Sequence, residues 1–200
     1  VQSVLDSLFN ALVPNKFLET AIFNAIISEE EISDNASPTL AAIRRKIRAQ
    51  ESKIREQLDK FARSQSHSKY LQENIITQRN GRYVVPVKSE HRASVSGLVH
   101  DTSSTGATVF VEPAGVVEAN NELRTLFGEE QSEIERILSD FSTQISDSAL
   151  QITNNYRSIT EIAFYFACAE LSYKMNATEP EICNERIISY LEKYYNIAGY

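Results

Sequence analysis

The chain has 200 residues, 42% of them hydrophobic and 24% charged, with 6 Gly and 5 Pro; this is enough chain to bury a core without disulfide staples, and the composition is neither disordered nor collagen-like. Scarce Gly and Pro argue against a turn-rich sandwich or barrel and for a mainly α protein, and no run reaches the ~18 apolar residues of a bilayer span. A net charge of −7 disfavours a nucleic-acid partner only until its distribution is read.

Residues 1–43 carry one Lys against six acids and residues 93–200 six bases against sixteen acids, whereas residues 44–92 carry thirteen Lys or Arg against five acids. Because charges act locally at a Debye length of about 8 Å, a polyanion would be drawn to that middle segment. Equally, the basic segment could pair with the acidic flanks once folded, and both readings remain open on sequence.

Along the chain, apolar residues from Val4 to Ile27 recur at helical steps, with Pro14 and Asn15 as a break, which predicts two short helices. Ser37 and Pro38 then form an N-cap and a first helical position. The helix they open is expected to reach about residue 70, roughly 50 Å, with Leu40, Ile43, Ile47, Ile54 and Phe61 on a narrow stripe and Gln50 and Gln57 at the seam. Its expected partner spans 113 to about 156, where Val116, Leu123, Phe127, Ile134, Ile137, Phe141, Ile145 and Ile152 repeat the spacing. A third helix, about 158–175, presents Ile159, Ile162, Ala163, Phe166, Ala169 and Leu171 and is expected to pack deeper.

Between the rods the period becomes alternating. Asn80-Gly81 predicts a hairpin joining strands at 75–79 and 82–88, with Pro86 marking the second as partly an edge or bulged. Two further strands fit 95–100 and 107–111, around a polar turn at 101–106. The expected fold is mainly α with a small β module, long antiparallel helices carrying a roughly four-stranded antiparallel tip. Its divisions are 1–74 (helices), 75–112 (β module) and 113–200 (returning helices).

None of the six glycines stands in a G-x4-G-K-[S/T] frame, so a phosphate-cradling loop is not expected here, nor ATP turnover. His100 and Asp101, neighbours on a strand, face opposite ways and make a poor catalytic pair. His91 and His100 with an acid are too little for a metal site. Cys168 and Cys183 lack CxxC spacing and read as reduced thiols of a cytoplasmic protein. The chain begins with Val1 and carries no signal-peptide pattern, so it reads as a cut-out of something longer. Arg79, Arg82, Lys88, His91 and Arg92 fall on or beside the hairpin and are the candidate phosphate contacts; a solvated outer face is the bland alternative.

The runs EISDNASPTLAAIRR at 31–45, RNGRYVVPVK at 79–88, GLVHDTSSTGATVFVEP at 97–113 and NNELR at 120–124, with 133–138 after them, resemble the second bacterial MutS family over about residues 1–175. Residues 187–200 lack the His-Pro stretch that opens that family's ATPase region. The resemblance implies a core, lever and clamp segment of a homodimeric ABC-type ATPase. It also implies that ATP and Mg belong to an ATPase outside these residues, and that a separate Smr nuclease module is common in such proteins. Implied partners are branched DNA, in suppression of recombination, or stalled ribosomes and their RNA. The competing class is a purely structural assembly element without nucleic-acid contact.

Overall fold

The Ser37 hydroxyl accepts the Leu40 N–H at 2.9 Å, and with Pro38 at the first turn it starts the long helix where the sequence places it. In the computed structural model, which describes residues 3–178, the elements are α1 (Val4–Asn10), α2 (Lys16–Ala25), α3 (Pro38–Arg63), β1 (Thr77–Arg79), β2 (Arg82–Lys88), β3 (Gly97–Thr102), β4 (Thr108–Pro113), α4 (Val117–Asp147) and α5 (Ala149–Lys174), joined by short 3-10 turns. Expectations for Cys183 and residues 187–200 lie outside the described residues. The mainly α composition with a small four-stranded antiparallel sheet is as expected. The chain divides into two compact units: residues 15–146, and residues 3–14 with 147–178.

In the larger unit α3 and α4 run antiparallel. Near one end Ser37 donates to Glu133 at 2.6 Å; further along, Arg44 donates to Glu130 at 2.6 Å and Gln50 to Glu122 at 2.6 Å. Leu40 and Ile137 share a small apolar cluster with Ile32. Ile43, Ile47, Ile54 and Leu58 join a larger one with Leu123, Val116 and the sheet residues Tyr83, Val85, Val87 and Val111. The helix is shorter than expected, ending at Arg63, where Ser64 turns to extended backbone. At that end Leu58 and Ala62 are buried while Phe61 is only partly so, because the sheet replaces α4 as the packing partner. On α4, Phe127 and Ile145 are 41% exposed, so the expected apolar stripe is packed only in part.

The sheet order is β1-β2-β4-β3, all antiparallel. Asn80 and Gly81 have φ of 52° and 74°, the left-handed pair that a two-residue hairpin requires. β2 lies between β1 and β4 but, as expected, is partly an edge, since β1 does not reach Pro86; the bulge falls in β3 between Val99 and Asp101. Pro86 is tolerated there because β1 stops at the position opposite Val84. The Pro86 carbonyl accepts from the Gln72 N–H at 2.9 Å; its ring nitrogen, on the same side of the strand, takes no ladder bond away from β4.

In the smaller unit α1 packs on α5, and Asn155 brackets Val13, accepting its N–H at 3.0 Å and donating to its carbonyl at 2.8 Å. Two expectations are corrected here. The returning rod does not continue to 156 but breaks at Ser148, with no Gly or Pro to announce it. The third helix does not pack deeper: Ile159, Phe166 and Leu171 are more than half exposed, since α1, with its seven residues, is too short to cover a helix of 26.

Candidate nucleic-acid interface

β-strand alternation puts Arg82, Val84, Pro86, Phe110 and Glu112 on one face of the sheet and Tyr83, Val85, Val87, Val109 and Val111 on the other. The second face packs on α3. The first is organised around Glu112, whose side chain is fully buried. Arg82 Nη1 donates to its Oε1 at 2.8 Å and to its Oε2 at 3.1 Å, the Asn120 amide donates to Oε1 at 2.7 Å, and His100 Nε2 lies 2.5 Å from Oε2. Arg82 Nη2 donates to Asn121 at 2.6 Å. Every member of the network is thereby engaged, and among the described residues no buried side-chain nitrogen or oxygen lacks a partner. A buried carboxylate so enclosed fixes geometry; removing one partner of such a pair typically costs about 3–5 kcal/mol.

The five sequence candidates separate into two groups. Arg79 and Arg82 face each other across the hairpin mouth. Lys88, His91 and Arg92 sit at the other end of β2, about 20 Å away by strand rise. Arg79 is partly exposed, its guanidinium 4.1 Å from the Phe110 ring centroid and its Nε 3.2 Å from Asp101. Arg82 is committed to Glu112 and Asn121. Lys88 reaches the Lys69 carbonyl only at 3.5 Å, and His91 lies beside Glu90 at 3.4 Å and against the Tyr70 ring at 5.2 Å. Arg92 staples the turn into β3, donating to the carbonyls of Val95 and Gly97, both at 2.8 Å. The expectation that His100 and Asp101 face opposite ways is corrected: the bulge between Val99 and Asp101 interrupts the alternation, so Asp101, opposite Phe110, and His100 lie on the same face, where His100 meets Glu112 and Asp101 meets Arg79.

Compared with known proteins, the chain is 46% identical over 185 residues to "Endonuclease MutS2" of Clostridium acetobutylicum, covering 92% of the chain and 23% of that protein. The protein of the same name in Clostridioides difficile is 46% identical over 196 residues, 98% of the chain and 24% of the relative. That of Pelotomaculum thermopropionicum is 48% identical over 171 residues, 86% and 22%. This stretch of sequence belongs to the MutS2 family. No protein-family model matches it. The chain spans about a quarter of the length of the MutS2 relatives it matches.

Two kinds of residue in this MutS2 segment escaped the sequence reading. Glu112, Asn120 and Asn121 stood inside the quoted runs, yet nothing in their spacing announced that Arg82 would close on them. The outer surface of α3 was not separated from the rest of the basic segment. There the acidic flanks engage some cations and not others: Asp34 and Glu130 hold Arg44, and Asp34 also holds Arg48. Asp34 is kept below its ordinary carboxylate range chiefly by the Arg44 hydrogen bond. Among the described residues no helix is long and apolar enough to cross a membrane.

Proposed function

We propose that this segment is the nucleic-acid-contacting lever and clamp portion of a MutS-type ATPase. In this reading residues 75–112 are the contacting module, residues 1–74 and 113–200 are the helices that carry it, and contact at the tip is coupled to an ATPase outside the chain. ATP and Mg would be held in that ATPase, the whole protein would be a cytoplasmic homodimer, and any nuclease activity would reside in a separate module. Its targets would be branched DNA or stalled ribosomes. The observation that carries the reading is the placement of the basic segment: its thirteen cations lie on α3, the sheet and the turns between. Arg79, Lys88 and His91 remain partly exposed around a sheet that the Glu112 network makes rigid. Arg82 and Arg92 serve as positioning residues that hold this surface.

The test is to replace Arg79, Lys88 and His91 together by Gln in the full-length parent and to measure affinity for four-way DNA junctions and for stalled ribosomes. Loss of at least tenfold on one target, with melting temperature retained, supports the reading and identifies the target. Unchanged affinity for both contradicts it. A structural assembly role has one observation in its favour, the exposed Leu150, Tyr156, Phe164, Phe166 and Leu171 of α5. Self-association that persists in high salt, without nucleic-acid binding in low salt, would favour that role.

A further inference from the structure

The buried stripe of α3, Leu40, Ile43, Ile47, Ile54 and Leu58, fixes which side of the helix faces outward, and the outward side is basic. Arg45 and Arg63 are five turns apart, so they stand on one line about 27 Å long. Lys46, Lys53 and Lys60 form a second row beside it, one every seven residues and about 10 Å apart. All five are exposed. Among the described residues Arg45, Lys46, Lys53 and Arg63 enter no ion pair, while Lys60 meets only its helical neighbour Glu56 at 2.6 Å, an exposed contact worth little. Arg48 and Arg55, on the opposite flank, are taken up by Asp34 and by the Tyr83 hydroxyl. Glu56 and Asp59 are the exposed acids of this helix. On α4, by contrast, the exposed charges include Glu118, Glu122, Glu129, Glu135 and Asp140, so the helix pair is basic on one outer side and mostly acidic on the other.

We infer that the outward face of α3, carrying Arg45, Lys46, Lys53, Lys60 and Arg63, is a second phosphate-binding surface, separate from the sheet tip, and that it takes the backbone of a nucleic-acid duplex. The inference rests on the nucleic-acid reading above and adds a surface to it. A straight row of three lysines with Arg45 and Arg63 beside its two ends fits a stiff polyanion, and a duplex is straight on this scale, with a persistence length of about 500 Å. Single strands are bound through aromatic platforms on which bases stack, and the α3 outer face has none. Cations without intrachain partners can exchange their counterions for phosphates with no ion pair to break. The mostly acidic outer side of α4 repels the same duplex, which orients it on α3.

The test uses the 200-residue chain and a 30-base-pair duplex of mixed sequence, made once as DNA and once as RNA, with binding measured across a salt series from 50 mM. Arg45→Gln, Lys46→Gln, Lys53→Gln and Arg63→Gln combined should leave the circular dichroism unchanged. The combination should weaken binding at least tenfold at 50 mM salt and make the slope of log Kobs against log[salt] shallower by about two units or more, at about 0.9 per phosphate contact. Glu56→Gln with Asp59→Asn, which removes the acids from the same face, should tighten binding, and this pair decides the matter if the quadruple variant fails to fold. An unchanged slope and affinity in the folded quadruple variant, or no tightening in the double variant, overturns the inference. If the tip variant of Arg79, Lys88 and His91 loses binding while the quadruple variant does not, the tip reading stands and this surface falls. The reverse pattern keeps this surface and removes the tip. Loss confined to only one of the two duplexes would overturn recognition through phosphates alone.

Discussion

The side-chain amide of Asn120 stands in for a β-strand against Tyr83: its Oδ1 accepts the Tyr83 N–H at 3.1 Å and its Nδ2 donates to the Tyr83 carbonyl at 3.1 Å. The register of β2 on β4 brings Pro113 opposite Tyr83, and Pro113 has no N–H to offer. The first turn of α4 supplies the missing donor and acceptor instead. From the same residue, the Tyr83 hydroxyl donates to Glu51 at 3.0 Å and accepts from Arg55 at 3.2 Å, so one side chain and its peptide tie the sheet to both helices.

Asn120→Ala should therefore destabilise the larger unit by about 3 kcal/mol or more, since it leaves the Tyr83 peptide and one Glu112 oxygen short of partners in a dry site. Urea unfolding followed by circular dichroism measures it. A loss below about 1 kcal/mol would mean that water replaces the amide.

Ile47→Asp and Ile137→Asp should each cost a few kcal/mol, because each puts an unpaired charge where the side chain is 6% and 4% exposed. Phe127→Asp and Ile145→Asp, both at positions 41% exposed, should change the melting temperature far less. Equal effects at all four positions would contradict the packing described.

Gly97→Ala should be severe for a different reason. A Cβ at that position would lie 2.0 Å from the Glu112 carbonyl oxygen, so β3 must move away from β4 and the His100 contact to Glu112 is disturbed. Thermal melts should show a loss of stability, whereas Gly115→Ala, with nothing near its Cβ, should be mild.

Acid should weaken the start of α3. The Arg136 guanidinium, and after it the Ser37 hydroxyl, hold the Glu133 carboxyl down from its ordinary 4.5 to about 2. A carboxylate depressed in the folded state contributes its stability in full above the unfolded value and loses it as pH falls through the folded one. The melting temperature should therefore decline between about pH 4.5 and pH 2, and in Glu133→Gln that decline should be smaller. An identical decline in the variant would show that other carboxyls are responsible.

The parts of the fold decided by local chemistry were legible in the sequence. Ser37 and Pro38 cap a helix wherever they stand before an amphipathic run, and Asn80-Gly81 forms its turn from backbone preference alone. The break at Ser148 was not legible, because its residue types are compatible with helix on either side. Pro86 pointed correctly to a stretch of β2 without a neighbour on one side, but where β1 stops could not be read from the sequence. At the candidate interface, the basic character of 44–92 could be read, but its division into free and committed cations could not. Arg82 looked like Lys88 in sequence; only the fold brings Glu112 and Asn121 to it and leaves Lys88 nearly unpaired.

The most direct measurement is the salt dependence of duplex binding by the unmodified 200-residue chain. Binding through the basic segment predicts measurable affinity at 50 mM salt despite a net charge of −7, with a log–log slope of about −3 or steeper, corresponding to several phosphate contacts. No binding at 50 mM, or binding whose affinity does not change with salt, would contradict the account.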